Sequence, residues 1–253
     1  MESQILPSLG HGYHALVLGA SGGIGSAFLS AFQDDPACAR ATGLSRRGNG
    51  FDVTDEASVA DAAKRLDDED IRFDVIVCAT GALTIGGVGP EKSMRAIEAD
   101  AMAAQFALNA IGPALVLKHF SGLLHRDRRS LIAFLSARVG SIGDNRLGGW
   151  VSYRAAKAAL NQIVRTSAIE IARTRPQAVV AALHPGTVAT ALSDRFSPGH
   201  ERFTPDDSVR RLLAVLDALE PARRAASMPM TARPSPGDMT GRKIRRRLRC
   251  VLA

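Results

Sequence analysis

A short apolar run, Tyr13–Leu18, ends in a glycine-rich turn, Gly19-Ala20-Ser21-Gly22-Gly23-Ile24-Gly25, and a helical pattern follows through about Phe32. No other stretch constrains the fold as tightly, because a strand leading through a tight glycine turn into a helix is the first half of a parallel crossover unit. The alternation continues. Ala41–Ser45 suits a second strand, Asp55 to about Asp67 a helix with Thr54 as N-cap, and Phe73–Ala79 a strongly apolar strand. A helical region covers about Met94–Asn109, and Pro113 is placed to begin another that reaches about Leu124. Leu131–Leu135 reads as a buried strand, Tyr153–Thr174 as a long helix, and Ala178–Leu183 as the next strand, followed by His184-Pro185-Gly186-Thr187. Strands alternating with helices predict one α/β domain of Rossmann type: a doubly wound, mostly parallel sheet with helices on both faces.

A chain of 253 residues is long enough for one such domain and too short for two of full size. Its net charge of +7 invites a nucleic-acid reading, but the charge is unevenly placed. From Pro221 to Ala253 nine basic residues face one acidic residue, so that segment carries +8 and the preceding 220 residues sum to −1. The expected division is therefore a domain over 1–220 and a basic C-terminal tail over 221–253, read as disordered or atypical, with nucleic acid disfavoured as a partner of the domain. Cys38, Cys78 and Cys250 are widely separated, which suits reduced thiols in a cytoplasmic protein, Cys78 being a small core residue. No secretory signal pattern opens the chain and no run of about 18 apolar residues is present, so no membrane association is expected. The six histidines are scattered without convergent carboxylates, so no metal site is expected.

Glycines at 19, 23 and 25, with Ser21, Gly22 and Ile24 between them, meet the demands of a dinucleotide pyrophosphate. These are a tight turn, close backbone approach and free N–H groups at a helix N-terminus. About 20 residues on, where an NAD site places a carboxylate for the ribose 2′-hydroxyl, the chain reads Leu44-Ser45-Arg46-Arg47. Two guanidiniums there suit a 2′-phosphate, which selects NADP(H), with Arg46 placed first after the strand. Asp52 and Val53 follow and are placed to meet the adenine, although Asp52 also suits a helix start.

Tyr153 and Lys157 are four residues apart in a segment of helical character, so both side chains lie on one face. A phenol ionises near pH 10, and an ammonium beside it stabilises the phenolate. Such a pair can protonate a carbonyl oxygen.

Taken in order, these motifs resemble the short-chain dehydrogenase/reductase family. The resemblance is carried by Gly19-Ala20-Ser21-Gly22-Gly23-Ile24-Gly25, Asp52-Val53, Ala79-Thr80-Gly81, Asn109, the Ser136 region, Tyr153-Arg154-Ala155-Ala156-Lys157 through Asn161, and His184-Pro185-Gly186-Thr187, over roughly Tyr13 to Leu192. Gly140–Asn161 is most similar to C-factor-like and sniffer-type carbonyl reductases. The resemblance implies an NADP(H)-dependent oxidoreductase acting on a small carbonyl or alcohol. In it Tyr153 is the general acid or base, Lys157 lowers its pKa and holds the ribose, and Asn109 supports a proton-relaying water. Ala79, Thr80 and Gly81 would line the cofactor through backbone. Pro185 and Gly186 precede Val188 and Thr190, which match the segment that holds the nicotinamide carboxamide. It also implies a homodimer or homotetramer through the helical surfaces of Met94–Leu124 and Tyr153–Thr174.

One position departs from the family. Its substrate-binding serine falls on Ala137, leaving Ser136 or Ser141 as candidates, of which Ser136 is preferred. Trp150 and Arg138 lie close enough in sequence to shape a pocket, Trp150 more as a packing residue, and His184 suits a hydrogen-bonded structural role. The alternative to an enzyme is an NADP(H)-binding protein with little catalysis, acting as a redox-sensing or signalling partner.

Overall fold

A computed structural model describes residues 4–190 and 202–221. The readings placed on the basic tail, beyond Pro221, lie outside the described residues. In chain order the elements are β1 (Tyr13–Leu18), α1 (Gly23–Asp34), β2 (Cys38–Leu44), the single turn α2 (Arg46–Asn49), α3 (Glu56–Asp68), β3 (Val75–Cys78), α4 (Ala99–Phe106), a π-helical turn (Ala107–Ile111), α5 (Gly112–Phe120), β4 (Ser130–Leu135), α6 (Val151–Ile171), β5 (Ala178–Leu183) and α7 (Pro205–Ala218).

The strands form one parallel sheet in the order β2-β1-β3-β4-β5. Residues alternate across it because side chains along a strand have a period of two. Leu16, Leu18, Ile76, Cys78, Ile132 and Phe134 pack with α3, α5 and α6 on one face. Val17, Val75, Val77, Leu131 and Ala133 pack with α1 and α7 on the other. Both faces are covered, which is why the central strands read as continuous apolar runs. The chain runs from β1 to β2 on one side and then crosses back to β3 on the other. Strand order therefore reverses between β1 and β3, and such a reversal opens a crevice above the C-terminal strand ends.

Several boundaries differ from those expected. β2 starts at Cys38 rather than Ala41, and Ser45 is instead the N-cap of α2, its Oγ accepting from Gly48 N at 3.0 Å. Asp55, not Thr54, caps α3, because its carboxylate accepts from Ala57 N at 3.0 Å, a stronger acceptor than a hydroxyl next to the dipole's positive end. The strand expected over Phe73–Ala79 is limited to Val75–Cys78. Pro113 opens α5 as expected, although no loop separates that helix from the preceding one. It sits in the first turn of α5 after a π-helical turn, so helical backbone continues from Ala99. Proline lacks the N–H that an α-helical register would require, and the wider turn before it absorbs the mismatch. Ala99–Leu123 has the length and apolar composition of a membrane span, yet Val116, Leu117 and Phe120 from this stretch are buried in the domain core. α7 was not anticipated. Its signals are Thr204 as N-cap, Pro205 in the first turn, and Asp206 and Asp207 beside the positive end of the dipole.

Candidate active site

The C-terminal ends of β1, β3, β4 and β5 deliver Gly19, Ala79, Ser136 and His184 to the same side of the sheet. The glycine turn is sterically committed. Gly19 has φ +88°, and a Cβ on it would stand 3.1 Å from Ala79 and Thr80. A Cβ on Gly25 would stand 2.1 Å from the Gly19 carbonyl, and one on Gly23 would stand 2.8 Å from Thr190. Only glycine lets the turn fold this tightly under the N-terminus of α1, where N–H groups without helical partners face outward. Gly22 is the N-cap of that helix, beside Ser21 and before Ile24. The residues present therefore fit a pyrophosphate cradle.

Arg46 and Arg47 open α2 beyond β2. The Arg46 side chain is 73% exposed and lies 3.9 Å from Asp52, a loose exposed pair that leaves the guanidinium available. Asp52 accepts from Thr54 N and Oγ1, at 2.9 and 2.7 Å, and these hydrogen bonds hold its carboxyl below the usual range. Val53 is buried, its carbonyl against Gly112.

Above the sheet lies a cavity of about 400 Å³. Tyr153, Lys157, Ser136, Ala137, Trp150 and His184 are among the residues that line it, as are Ala79, Thr80, Gly81, Pro185, Gly186, Val188 and Thr190; no carboxylate is among the described ones. Tyr153 and Lys157 stand on the inward face of α6, as their spacing predicted, and both are buried. Lys157 Nζ donates to the Leu135 carbonyl at 2.9 Å and lies 5.8 Å from the centre of the Tyr153 ring. Burial pushes the Tyr153 phenol up to about 12 and the Lys157 ammonium down to about 8, since each charged form loses water. Gly140 lets the loop after β4 press on α6, because a Cβ there would stand 2.8 Å from the Lys157 backbone.

Asn109 is fully buried in the π-helical turn. Its amide donates to the Ala82 carbonyl at 3.0 Å and to Gln105 Oε1 at 2.9 Å, while its oxygen accepts from Ala82 N at 3.3 Å. Gly81 fits between this residue and the lysine: a Cβ on it would stand 3.0 Å from Asn109 Oδ1 and 3.3 Å from Lys157 Nζ. The structure thus brings together Asn109, Gly81, Lys157 and Tyr153.

Ser136 and Ala137 both line the cavity, but the Ser136 hydroxyl donates to Asn161 Oδ1 at 2.7 Å. Arg138 is at the cavity wall and pairs with Asp144 at 2.6 Å. His184, expected as a hydrogen-bonded structural residue, stands at the cavity. Its ring lines the cavity, Nδ1 has no hydrogen-bond partner among the described residues, and burial depresses its pKa with Arg138 adding to the effect. Trp150 is likewise more than packing, since it lines the cavity with its ring edge-on to Tyr153, centroids 6.5 Å apart. Sequence reasoning missed Gln105, whose signal was its i,i+4 spacing to Asn109, and Glu91, whose partners are 61 residues away and left no local signal.

Comparison with known proteins agrees with this geometry. A family model described as enoyl-(acyl carrier protein) reductase, of the short-chain dehydrogenase/reductase group, matches residues 29–228. The 1-hydroxy-2-glutathionyl-2-methyl-3-butene dehydrogenase of Rhodococcus sp. (strain AD45) is 30% identical over 172 residues, covering 68% of this chain and 72% of that protein. C-signal of Myxococcus xanthus is 38% identical over 122 residues, or 47% of this chain and 69% of that one. Among solved structures, a short-chain dehydrogenase/reductase from Burkholderia multivorans with bound NADP has a TM-score of 0.67 at 26% identity, covering 83% of this chain and 92% of its own. Carbonyl reductase Sniffer of D. melanogaster shares the fold, with a TM-score of 0.71 at 18% identity over 83% of this chain and 93% of its own. With a family model matching residues 29–228 and a dehydrogenase 30% identical over two thirds of both chains, the chain belongs to the short-chain dehydrogenase/reductase family, and it is an oxidoreductase of that family.

Proposed function

We propose that the protein is an NADP(H)-dependent oxidoreductase that interconverts a small carbonyl compound and its alcohol, with Tyr153 as the proton donor in reduction. One observation carries the reading: a buried tyrosine and a buried lysine share one cavity, next to a tight glycine turn whose shape fits a pyrophosphate. The NADP-bound Burkholderia multivorans relative supports the choice of cofactor, and so do Arg46 and Arg47 at the place where an NAD site would carry a carboxylate. NADPH, when held in that cradle, would supply the hydride.

The chain's own residues manage the proton. Burial keeps Tyr153 protonated at neutral pH, so its hydroxyl is available to donate to a carbonyl oxygen. The phenolate left behind faces the Lys157 ammonium, which the Leu135 carbonyl holds in place. Asn109 fixes the strand-end loop at Ala82, which keeps Gly81 against the lysine. Leu83, Val139 and Trp150 form an apolar part of the cavity wall. Free thiols at Cys38 and Cys78 support a reducing, cytoplasmic setting.

The test is a fluorescence titration with NADPH and NADH, followed by NADPH oxidation over a panel of aldehydes and ketones. The expected result is preference for NADPH and turnover that Tyr153→Phe abolishes without loss of NADPH binding. A second reading, a cofactor-binding protein with little catalysis, is favoured by Ala137 standing where the family places its substrate serine. Tight NADPH binding with no turnover across the panel would select it.

A further inference from the structure

Helix α6 carries Tyr153 but begins without an acceptor of its own. Its N-cap is Trp150, and an indole only donates. Three consecutive residues precede the helix in left-handed backbone: Gly148 at φ +64°, Gly149 at φ +66° and Trp150 at φ +55°. That conformation is unfavourable for a tryptophan, so something outside the turn holds it there. Glu91 does so from the loop after β3. Its carboxylate accepts from Ser152 N at 3.3 Å and from the Ser152 hydroxyl, and its own carbonyl accepts from Trp150 N at 2.6 Å. Glu91 and Ser152 are both buried. Arg154 also reaches back to the turn, donating to the Gly149 and Gly148 carbonyls at 2.9 and 3.2 Å. The far end of the Glu91 loop is tied as firmly, with Ala82 held by Asn109 and the Leu83 carbonyl accepting from Gln105 at 3.0 Å.

We propose that the Glu91 side chain is a positioning group: its carboxylate caps α6 from outside the helix at Ser152, beside the Gly148–Trp150 turn that the Glu91 main-chain carbonyl holds, and so sets where the Tyr153 hydroxyl stands in the cavity. The proposal rests on Tyr153 being the proton donor. A carboxylate suits this place because the first N–H groups of a helix lack helical partners and the dipole's positive end favours negative charge. Trp150 packs edge-on against Tyr153, so a turn that relaxes displaces the tyrosine's wall together with its helix start.

The experiment compares full-length wild type with Glu91→Ala, Glu91→Gln and Ser152→Ala. Two readouts are used: kcat and KM for carbonyl reduction per NADPH-binding site, and the emission of Trp150, the only tryptophan in the chain. Glu91→Ala is expected to lower kcat about ten- to a hundredfold, as a small displacement of a reacting group does, with KM within about twofold and Trp150 emission shifted to the red. Glu91→Gln keeps an acceptor for Ser152 N and is expected to recover most of the rate. Wild-type kcat in Glu91→Ala, even with a lower melting temperature, overturns the proposal, and so does unmoved Trp150 emission. Should Glu91→Ala fail to fold, Ser152→Ala decides: reduced kcat with shifted emission supports the role, and neither change overturns it. Should wild type show no turnover, the proposed oxidoreductase reading falls instead. Glu91 is then judged on Trp150 emission and on tyrosinate absorbance, Tyr13 being the only other tyrosine and hydrogen-bonded to Asp35. Ionisation and emission unchanged in Glu91→Ala would sink it there too.

Discussion

Tyr153 owes its suitability as an acid to burial, and burial also sets the pH range of its partner. Water is withdrawn from both groups, which favours the neutral phenol and the neutral amine. Lys157 drops from an ordinary lysine value to about 8, so its positive charge is complete below that pH and is lost as pH rises through it. The free-enzyme profile of kcat/KM for carbonyl reduction should therefore be flat through neutrality and fall above about pH 8. Alcohol oxidation, which needs the phenolate, should instead rise with pH. A reduction profile that stays level to pH 10 would remove Lys157 from the account. Ala137 offers a gain of function: Ala137→Ser places a hydroxyl in the cavity wall, and one added oxygen-binding donor should raise kcat by up to about 10²-fold. Arg46→Ala combined with Arg47→Ala should weaken NADPH binding about 10- to 100-fold, the worth of one lost charge-assisted contact, and leave NADH binding unchanged. Equal losses for both cofactors would show that the arginines do not read a 2′-phosphate. The tyrosine, the lysine and the arginines were legible in the sequence because each is set by local spacing from a strand or along one helix. The place of His184 in the cavity wall was not, because that wall is assembled from different strand ends and loops.

Among the elements, the glycine turn and α6 are the most constrained. Gly25→Ala would drive its methyl into the Gly19 carbonyl, so it should destabilise the domain by about 1–3 kcal/mol through forced backbone shifts and abolish dinucleotide binding. Thermal denaturation with an NADPH titration measures both effects, and a variant that binds NADPH normally would contradict the cradle. β1 and β5 could be delimited to the residue because an apolar run bounded by turn chemistry marks both ends of each. The long helical stretch of α4 and α5 could not. The sequence of Ala99–Phe120 contains an apolar period and a proline, and from these alone a helix break looks as reasonable as a π-helical turn that keeps the helix going. The outcome matters for the site, since that turn is where Asn109 is carried to Ala82. α7 escaped notice because its cap and acidic first turn follow a stretch with no periodic pattern.

At the scale of the whole molecule, the order β2-β1-β3-β4-β5 brings the ends of strands far apart in sequence to one crevice. The fold class was legible from the alternation of elements, because parallel neighbours need helical crossovers and crossovers have one hand. The contact of Glu91 with α6 was not, since it depends on how two loops meet after the sheet has formed. A homodimer or homotetramer remains our proposal for the assembly, and Ile111 and Ile169, about half exposed on the helices concerned, give it a handle. Sedimentation velocity at micromolar concentration should show a dimer or larger species that Ile111→Asp shifts toward monomer. A monomer alone in the wild type would contradict it.

The central claim is that this cavity moves a hydride and a proton between NADPH and a carbonyl, with the proton coming from Tyr153. It is tested most directly by incubating the protein with NADPH deuterated at the transferred position and a mixture of aldehydes and ketones, then weighing the products. The account predicts an alcohol carrying one deuterium with wild type, and none with Tyr153→Phe although that variant still binds NADPH. Deuterated alcohol formed equally by Tyr153→Phe would contradict it.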